Sequence, residues 1–205
     1  MPWLELARAE REDFAAFLET LSPAQWEEPT LCERWCVREV AAHALSFDEL
    51  SRGQLVRRFL KGWLMVDRIN QVGVDDYADR TPEELVALVR THAEPHGLTA
   101  GFGGRIALTD NMIHQQDIRR PLDIPRTIPS ERLRVALDFS LYAPTIRGAW
   151  RARGVRLTAT DIDWSHGRGP EVRGSGEAIL MTMAGRGDAL QDLGGPGKDK
   201  LAHRM

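Results

Sequence analysis

Apolar residues recur along most of this chain at helical rather than strand intervals. Leu4, Ala7, Phe14, Phe17, Leu18 and Leu21 fall on one side of a first helix. Ser22-Pro23-Ala24-Gln25 then opens a short turn toward Trp26, and Pro29 ends it. A second helix carries Cys36, Val40, Phe47 and Leu50 on a stripe whose alternation is completed by His43. Between Leu50 and the loop Asp75–Arg80 the pattern assigns no element. Thr81-Pro82-Glu83-Glu84 is a well-formed helix start, followed by Leu85, Leu88 and Val89. Another helix covers Ala107 to Arg120, and Ser130-Glu131 opens one running to about Tyr142 with Leu133, Leu137 and Leu141 on one side. Near Gly154 the period changes. Val155–Thr160 alternates as a strand does, Trp164–Pro170 reads as a turn, Glu171–Arg173 as a return strand, and Ser175-Gly176-Glu177 starts a short helix ending at Gly185. The expected architecture is mostly α: a helical bundle over residues 1–150, a small β-β-α subdomain over 151–193, and a mobile tail over 194–205.

Composition narrows the function classes. At 205 residues and 42% hydrophobic, the chain can bury a sizeable core. A net charge of −3 supplies no basic footprint for nucleic acid. No run of 18 apolar residues exists, and Met1-Pro2-Trp3-Leu4-Glu5 lacks the features of a secretory signal, so a cytoplasmic protein with no membrane partner is expected. Cys32 and Cys36 make neither a disulfide framework nor the usual zinc hairpin and read as structural thiols. Trp26, Trp35, Trp63 and Trp150 are expected in the core or in pocket walls. A homodimer through exposed helix faces is compatible with this pattern, which does not require one.

The candidate chemistry lies where polar groups interrupt apolar stripes. Asp110, His114 and Asp117 share a helix face with Ile106 and Ile113, and a carboxylate and an imidazole at i and i+4 can grip one cation. A bound metal would offset the cost of burying them. His43 adds a second inward imidazole. His92 and His96 have the same spacing, but Pro95 and Gly97 break any helix that would hold them together. Gly101-Phe102-Gly103-Gly104 matches no phosphate-cradling motif. Arg119 and Arg120 suit a helix C-terminus without any ligand.

Three segments taken together resemble a known family. Leu21-Ser22-Pro23-Ala24-Gln25-Trp26 through Pro29–His43 resembles the opening of the mycothiol-dependent maleylpyruvate isomerase family, a branch of the DinB-like metal-binding four-helix bundles. Asp110-Asn111-Met112-Ile113-His114 with Asp117–Leu122 resembles that family's acidic-x-x-x-His helix. Gly169–Gly174 through Ala184-Gly185-Arg186 resembles the short C-terminal region of many members. The resemblance implies a divalent metal on His43, Asp110 and His114, zinc first with nickel or iron compatible, although the family usually has Glu where this chain has Asp110. It also implies mycothiol as thiol cosubstrate, its sulfur activated by the metal, and a small electrophile as its partner. Asp117 would orient a ligand imidazole, and Arg186 would pair with a substrate carboxylate. The expected activity is a metal- and thiol-dependent transferase or isomerase. The alternatives are a non-catalytic metal- or ligand-binding bundle, or a metal-dependent hydrolase with Asp117 as base.

Overall fold

The computed structural model describes residues 2–205. The chain divides into two compact units, Met1–Pro125 and Arg126–Met205. The first contains α1 (Pro2–Leu18), α2 (Val37–Leu45), α3 (Arg52–Lys61), α4 (Val66–Asp75), α5 (Pro82–Thr91) and α6 (Arg105–Arg119). Helix α1 packs on α5 and α6, and α2 packs on the same two, which closes a four-helix bundle. Phe14, Leu18, Trp26, Val37, Val40, Leu85, Val89 and Ile118 meet in its core. Helix α5 begins as its sequence requires: the Thr81 hydroxyl accepts from the Glu84 amide, the Glu84 carboxylate accepts from the Thr81 amide, and Pro82 fills the first turn.

Helices α3 and α4 occupy the stretch to which the sequence pattern assigned nothing. They pack on each other, and α4 packs on α2. Ser51 and Gln54 make the reciprocal cap that starts α3. Their periodicity was obscured because α3 turns apolar residues outward and an arginine inward. Arg58 is buried, donates to the Ser46 carbonyl at 2.6 Å and pairs with Asp76 at 3.0 Å.

Helix α6 is the central element, buried on nearly every side from Ala107 to Ile118. The glycine segment before it is a packing turn. Phe102, Gly103 and Gly104 all have positive φ, and a Cβ on Gly104 would stand 3.0 Å from Leu4 Cδ2. A second constraint ties α1 to the loops: Arg11 Nη1 and Nη2 donate to the two carboxylate oxygens of Asp48 at 3.0 and 2.8 Å, with both side chains buried.

The second unit contains α7 (Ser130–Tyr142), α8 (Gly148–Arg151), β1 (Arg156–Ala159), β2 (Ser165–Gly167), β3 (Glu171–Gly174), α9 (Gly176–Met183) and α10 (Lys198–Ala202). Helix α7 packs against α8 and α9, so it belongs with this unit and not with the preceding bundle. The sheet has the order β2-β1-β3. The segment expected to be a turn thus supplies a strand, β2, antiparallel to β1, while β3 runs parallel to β1 and is not the return strand of a hairpin. The excursion through β2 gives the chain the length to re-enter in parallel. The last residues, expected to be mobile, form α10, with Leu201 buried and Lys200 Nζ donating to the Gly154 carbonyl. Two of the four tryptophans expected inside are outside: Trp63 and Trp150 are exposed, while Trp26 is buried.

Candidate functional site

The site is assembled within the first unit by α2 and α6. Helix α2 starts at Cys36, whose amide donates to Glu39 Oε2 at 2.8 Å, and this start sets His43 on the inward face. Helix α6 supplies Asp110, His114 and Asp117 at successive turns of one face. The ligand atoms of His43, Asp110 and His114 all lie within 4.8 Å of one another. The two imidazoles meet edge to face, with centroids 4.7 Å apart.

Hydrogen bonding fixes how His114 is presented. Its Nδ1 donates to Asp117 Oδ2 at 2.9 Å, and Asp117 is fully buried. Its Nε2 is thereby turned toward Asp110, 3.5 Å from Oδ1. Asp117 thus lies behind the His114 imidazole as its hydrogen-bond partner. Trp35 packs against His43 with centroids 4.8 Å apart and ring planes tilted by 35°, and is held by a hydrogen bond from its Nε1 to Gln71 Oε1 at 3.0 Å.

The charge distribution follows from these contacts. Burial acts to lower the pKa of His114, but the carboxylates of Asp110 and Asp117, with Cys32, outweigh it and raise it well above the ordinary 6.5. Burial, helped by the neighbouring positive His114, pushes His43 down to about 4 and keeps it neutral. Desolvation works against the Asp110 carboxylate, but His114, His43 and Arg11 prevail and hold it at about 2. Two carboxylates therefore flank one imidazolium, Asp117 at Nδ1 and Asp110 at Nε2, next to a neutral imidazole.

These residues fit a divalent cation. His43 Nδ1 is buried with no hydrogen-bond partner, an unusual expense for a core imidazole and one that a missing ligand would explain. Two imidazoles and a carboxylate form a donor set that zinc, nickel and iron all accept. The cation would take the place of the proton now held on His114.

One site residue escaped the sequence reading. Cys32, expected to be a structural thiol, donates its Sγ–H to Asp117 Oδ2 at 3.1 Å and lies 3.7 Å from His114 Nδ1. Cys32, His114 and Asp117 form a second trio of potential ligands sharing His114 with the first. The loop is drawn there by the Leu31 amide, which donates to the Asp117 carbonyl at 3.0 Å. No local spacing in the sequence encodes that pairing. Cys36, in contrast, sits at the helix cap.

The other candidates are elsewhere. His92 Nε2 contacts Glu49 Oε1 at 3.3 Å and His96 Nδ1 donates to the Glu94 carbonyl at 2.7 Å, so the two make separate bonds. Arg186 belongs to the second unit, where its Nη1 donates to the Ala184 carbonyl at 2.9 Å.

Asp117→Ala is expected to weaken metal binding about 10–100-fold, because it frees the His114 ring and removes its charge partner. Competition with a chromogenic chelator measures this directly. An affinity equal to that of the wild type would remove Asp117 from the ligand-orienting role.

Residues 7–96 match the family described as the mycothiol maleylpyruvate isomerase N-terminal domain. No curated protein matches the chain. Among solved structures, that of a mycothiol-dependent maleylpyruvate isomerase aligns with a TM-score of 0.56 at 14% identity, over 96% of this chain and 92% of the other. A histidine-to-alanine mutant of a mycothiol-dependent maleylpyruvate isomerase aligns with a TM-score of 0.55, at the same identity and coverage. At that identity the structures establish a shared fold and no more. Residues 7–96 of this chain are therefore similar to the mycothiol maleylpyruvate isomerase N-terminal domain family, and the chain shares the DinB-like fold of those isomerase structures.

Proposed function

We propose that this chain is a metal-dependent enzyme that uses a small thiol, mycothiol, against a small electrophilic substrate, leading either to isomerisation or to S-transfer. The observation that carries this reading is the convergence of His43, Asp110 and His114, whose ligand atoms lie within 4.8 Å of one another. The domain family of residues 7–96 supports the thiol half of the proposal. A bound divalent cation with an open position supplies acidification of the thiol, so that a nucleophilic thiolate is available at neutral pH.

The chain's own residues perform the remaining work. Asp117 holds His114 by Nδ1 and presents Nε2. Trp35 walls His43 on one side. Asp110 is the shorter homologue of the family's usual glutamate, and its side chain is partly exposed at 42%, so the carboxylate borders solvent through which a cosubstrate can arrive. Arg186 is proposed to pair with a substrate carboxylate; Arg186→Ala would then raise KM for an acidic substrate while leaving metal content unchanged.

The geometry disfavours the hydrolase alternative. Asp117 is fully buried and its Oδ2 already accepts from His114 and Cys32, which leaves it badly placed to take a proton from water.

The test is metal analysis of wild type, His43→Ala and His114→Ala, followed by calorimetric titration of mycothiol into metal-loaded and metal-stripped protein. Near-stoichiometric metal in the wild type, lost in both variants, with mycothiol bound only by the loaded form, is the expected result. Metal retained by both variants would sink the ligand set. Metal binding without thiol binding would favour the non-catalytic reading.

A further inference from the structure

Outside the site, the least ordinary surface is the outer side of the α3–α4 hairpin. Val56, Leu60, Trp63, Leu64, Met65 and Val66 are between 51% and 77% exposed, Trp63 the most. They are close in sequence: Val56 and Leu60 lie one turn apart on α3, and the other four form the connection to α4. The connection itself is strained outward. Trp63 and Leu64 both adopt left-handed backbone, with φ of 54° and 58°, a conformation unfavourable for residues with bulky side chains. A chain under selection for solubility alone gains nothing by holding tryptophan and leucine in this way.

The charges in the same segment specify what could cover it. Arg52, Arg57, Lys61 and Arg68 are exposed beside these residues, against the exposed carboxylate of Asp67, with Asp75 exposed at the far end of α4, in a chain whose net charge is −3. None of the four cations forms an ion pair among the described residues. Arg57 and Lys61 flank Val56 and Leu60 on α3, so one helix shows a basic edge and an apolar edge to solvent. Arg58 anchors the opposite side of α3 through Ser46 and Asp76, which holds this outer face in place.

We propose that the α3–α4 hairpin is an interfacial docking element for an anionic phospholipid surface. Trp63, Leu64 and Leu60 would enter the boundary between headgroups and acyl chains, while Arg52, Arg57, Lys61 and Arg68 meet the lipid phosphates. The sequence-based expectation of no membrane partner rested on the absence of a long apolar run, and an element that lies on a surface needs none. No helix among the described residues is long and apolar enough to cross a membrane, which agrees with docking and not with spanning. A second copy of the chain is the poorer occupant, because a two-fold contact would set each copy's four cations against those of the other.

The test is co-sedimentation of the full chain with vesicles of phosphatidylcholine alone and of an equimolar mixture of phosphatidylcholine and phosphatidylglycerol. Binding to the mixed vesicles, weakened by salt and nearly absent on pure phosphatidylcholine, is expected. Arg57→Gln with Lys61→Gln should weaken partitioning about thirtyfold, from roughly fivefold per basic residue removed near such a surface. Leu60→Ser with Trp63→Ser should abolish it while the circular dichroism melt stays that of a folded protein. If the apolar pair fails to fold, the charge pair and the salt dependence still decide. Equal binding to both vesicle types, or no binding to either, overturns the proposal. Concentration-dependent self-association that the apolar pair abolishes, without vesicle binding, also overturns it and assigns the face to a second copy.

Discussion

Asp48→Ala is expected to destabilise the first unit by about 3–5 kcal/mol, the range for removing one member of a buried ion pair. Arg11 would keep its burial and lose both carboxylate contacts, retaining from Nη1 only the bond to the His92 carbonyl at 2.7 Å. Asp48 also accepts from the His96 amide at 3.1 Å and from the Thr99 hydroxyl, so the variant orphans donors in the loop that leads to α6. Against a total stability of about 5–15 kcal/mol, that loss would shift a urea midpoint substantially. Replacing both partners, as Arg11→Met with Asp48→Leu, should recover part of the loss, since no bare charge then remains. A single variant as stable as the wild type would show that the pair reorganises at little cost.

The second large effect concerns pH and metal together. In the metal-free protein His114 has a raised pKa, so its contribution to stability is fully present below pH 6.5 and is lost as pH rises through the higher folded value. His43 has the opposite sign. Its folded value of about 4 lies below 6.5, so acidification from 6.5 toward 4 protonates the unfolded chain first and costs stability. The joint contribution of these two groups to the stability of the metal-free protein is therefore greatest near pH 6.5, each limb falling by up to about 1.4 kcal/mol per pH unit per proton. Metal binding at neutral pH must displace the His114 proton. Calorimetry in buffers of different ionisation enthalpy should therefore register about one proton released per metal bound. The loaded protein should lose the alkaline limb. Metal uptake without proton release would show that the cation displaces no proton from His114.

Much of this was legible in the sequence because it contradicts a local rule. Asp110, His114 and Asp117 stand out on α6 as polar groups in a buried stripe, and His43 completes an alternation that otherwise holds hydrophobes. The caps of α5 and the bundle helices follow from short-range chemistry. What was hidden is non-local or inverted. Cys32 reaches the site only because the Leu31 amide finds the Asp117 carbonyl, a contact across 86 positions that no spacing encodes. Helix α3 defeats the periodicity argument by burying Arg58 and exposing Val56 and Leu60, and β2 is a short strand among glycine and charged residues. The tryptophan expectation failed for a related reason: size and apolarity indicate which side chains gain from burial, whereas Trp63 is presented outward by its own backbone.

The bond from Leu31 to Asp117 makes that amide proton a clock for the order of the centre. Asp117 holds the loop through its backbone carbonyl and His114 through its side chain, so loop and ring meet at one residue. Deuterium should enter at Leu31 slowly when a cation fixes His114 and faster when the site is stripped, while the interior amides of α1 hold their rate. Occupancy could then be followed residue by residue in a protein whose substrate has never been added.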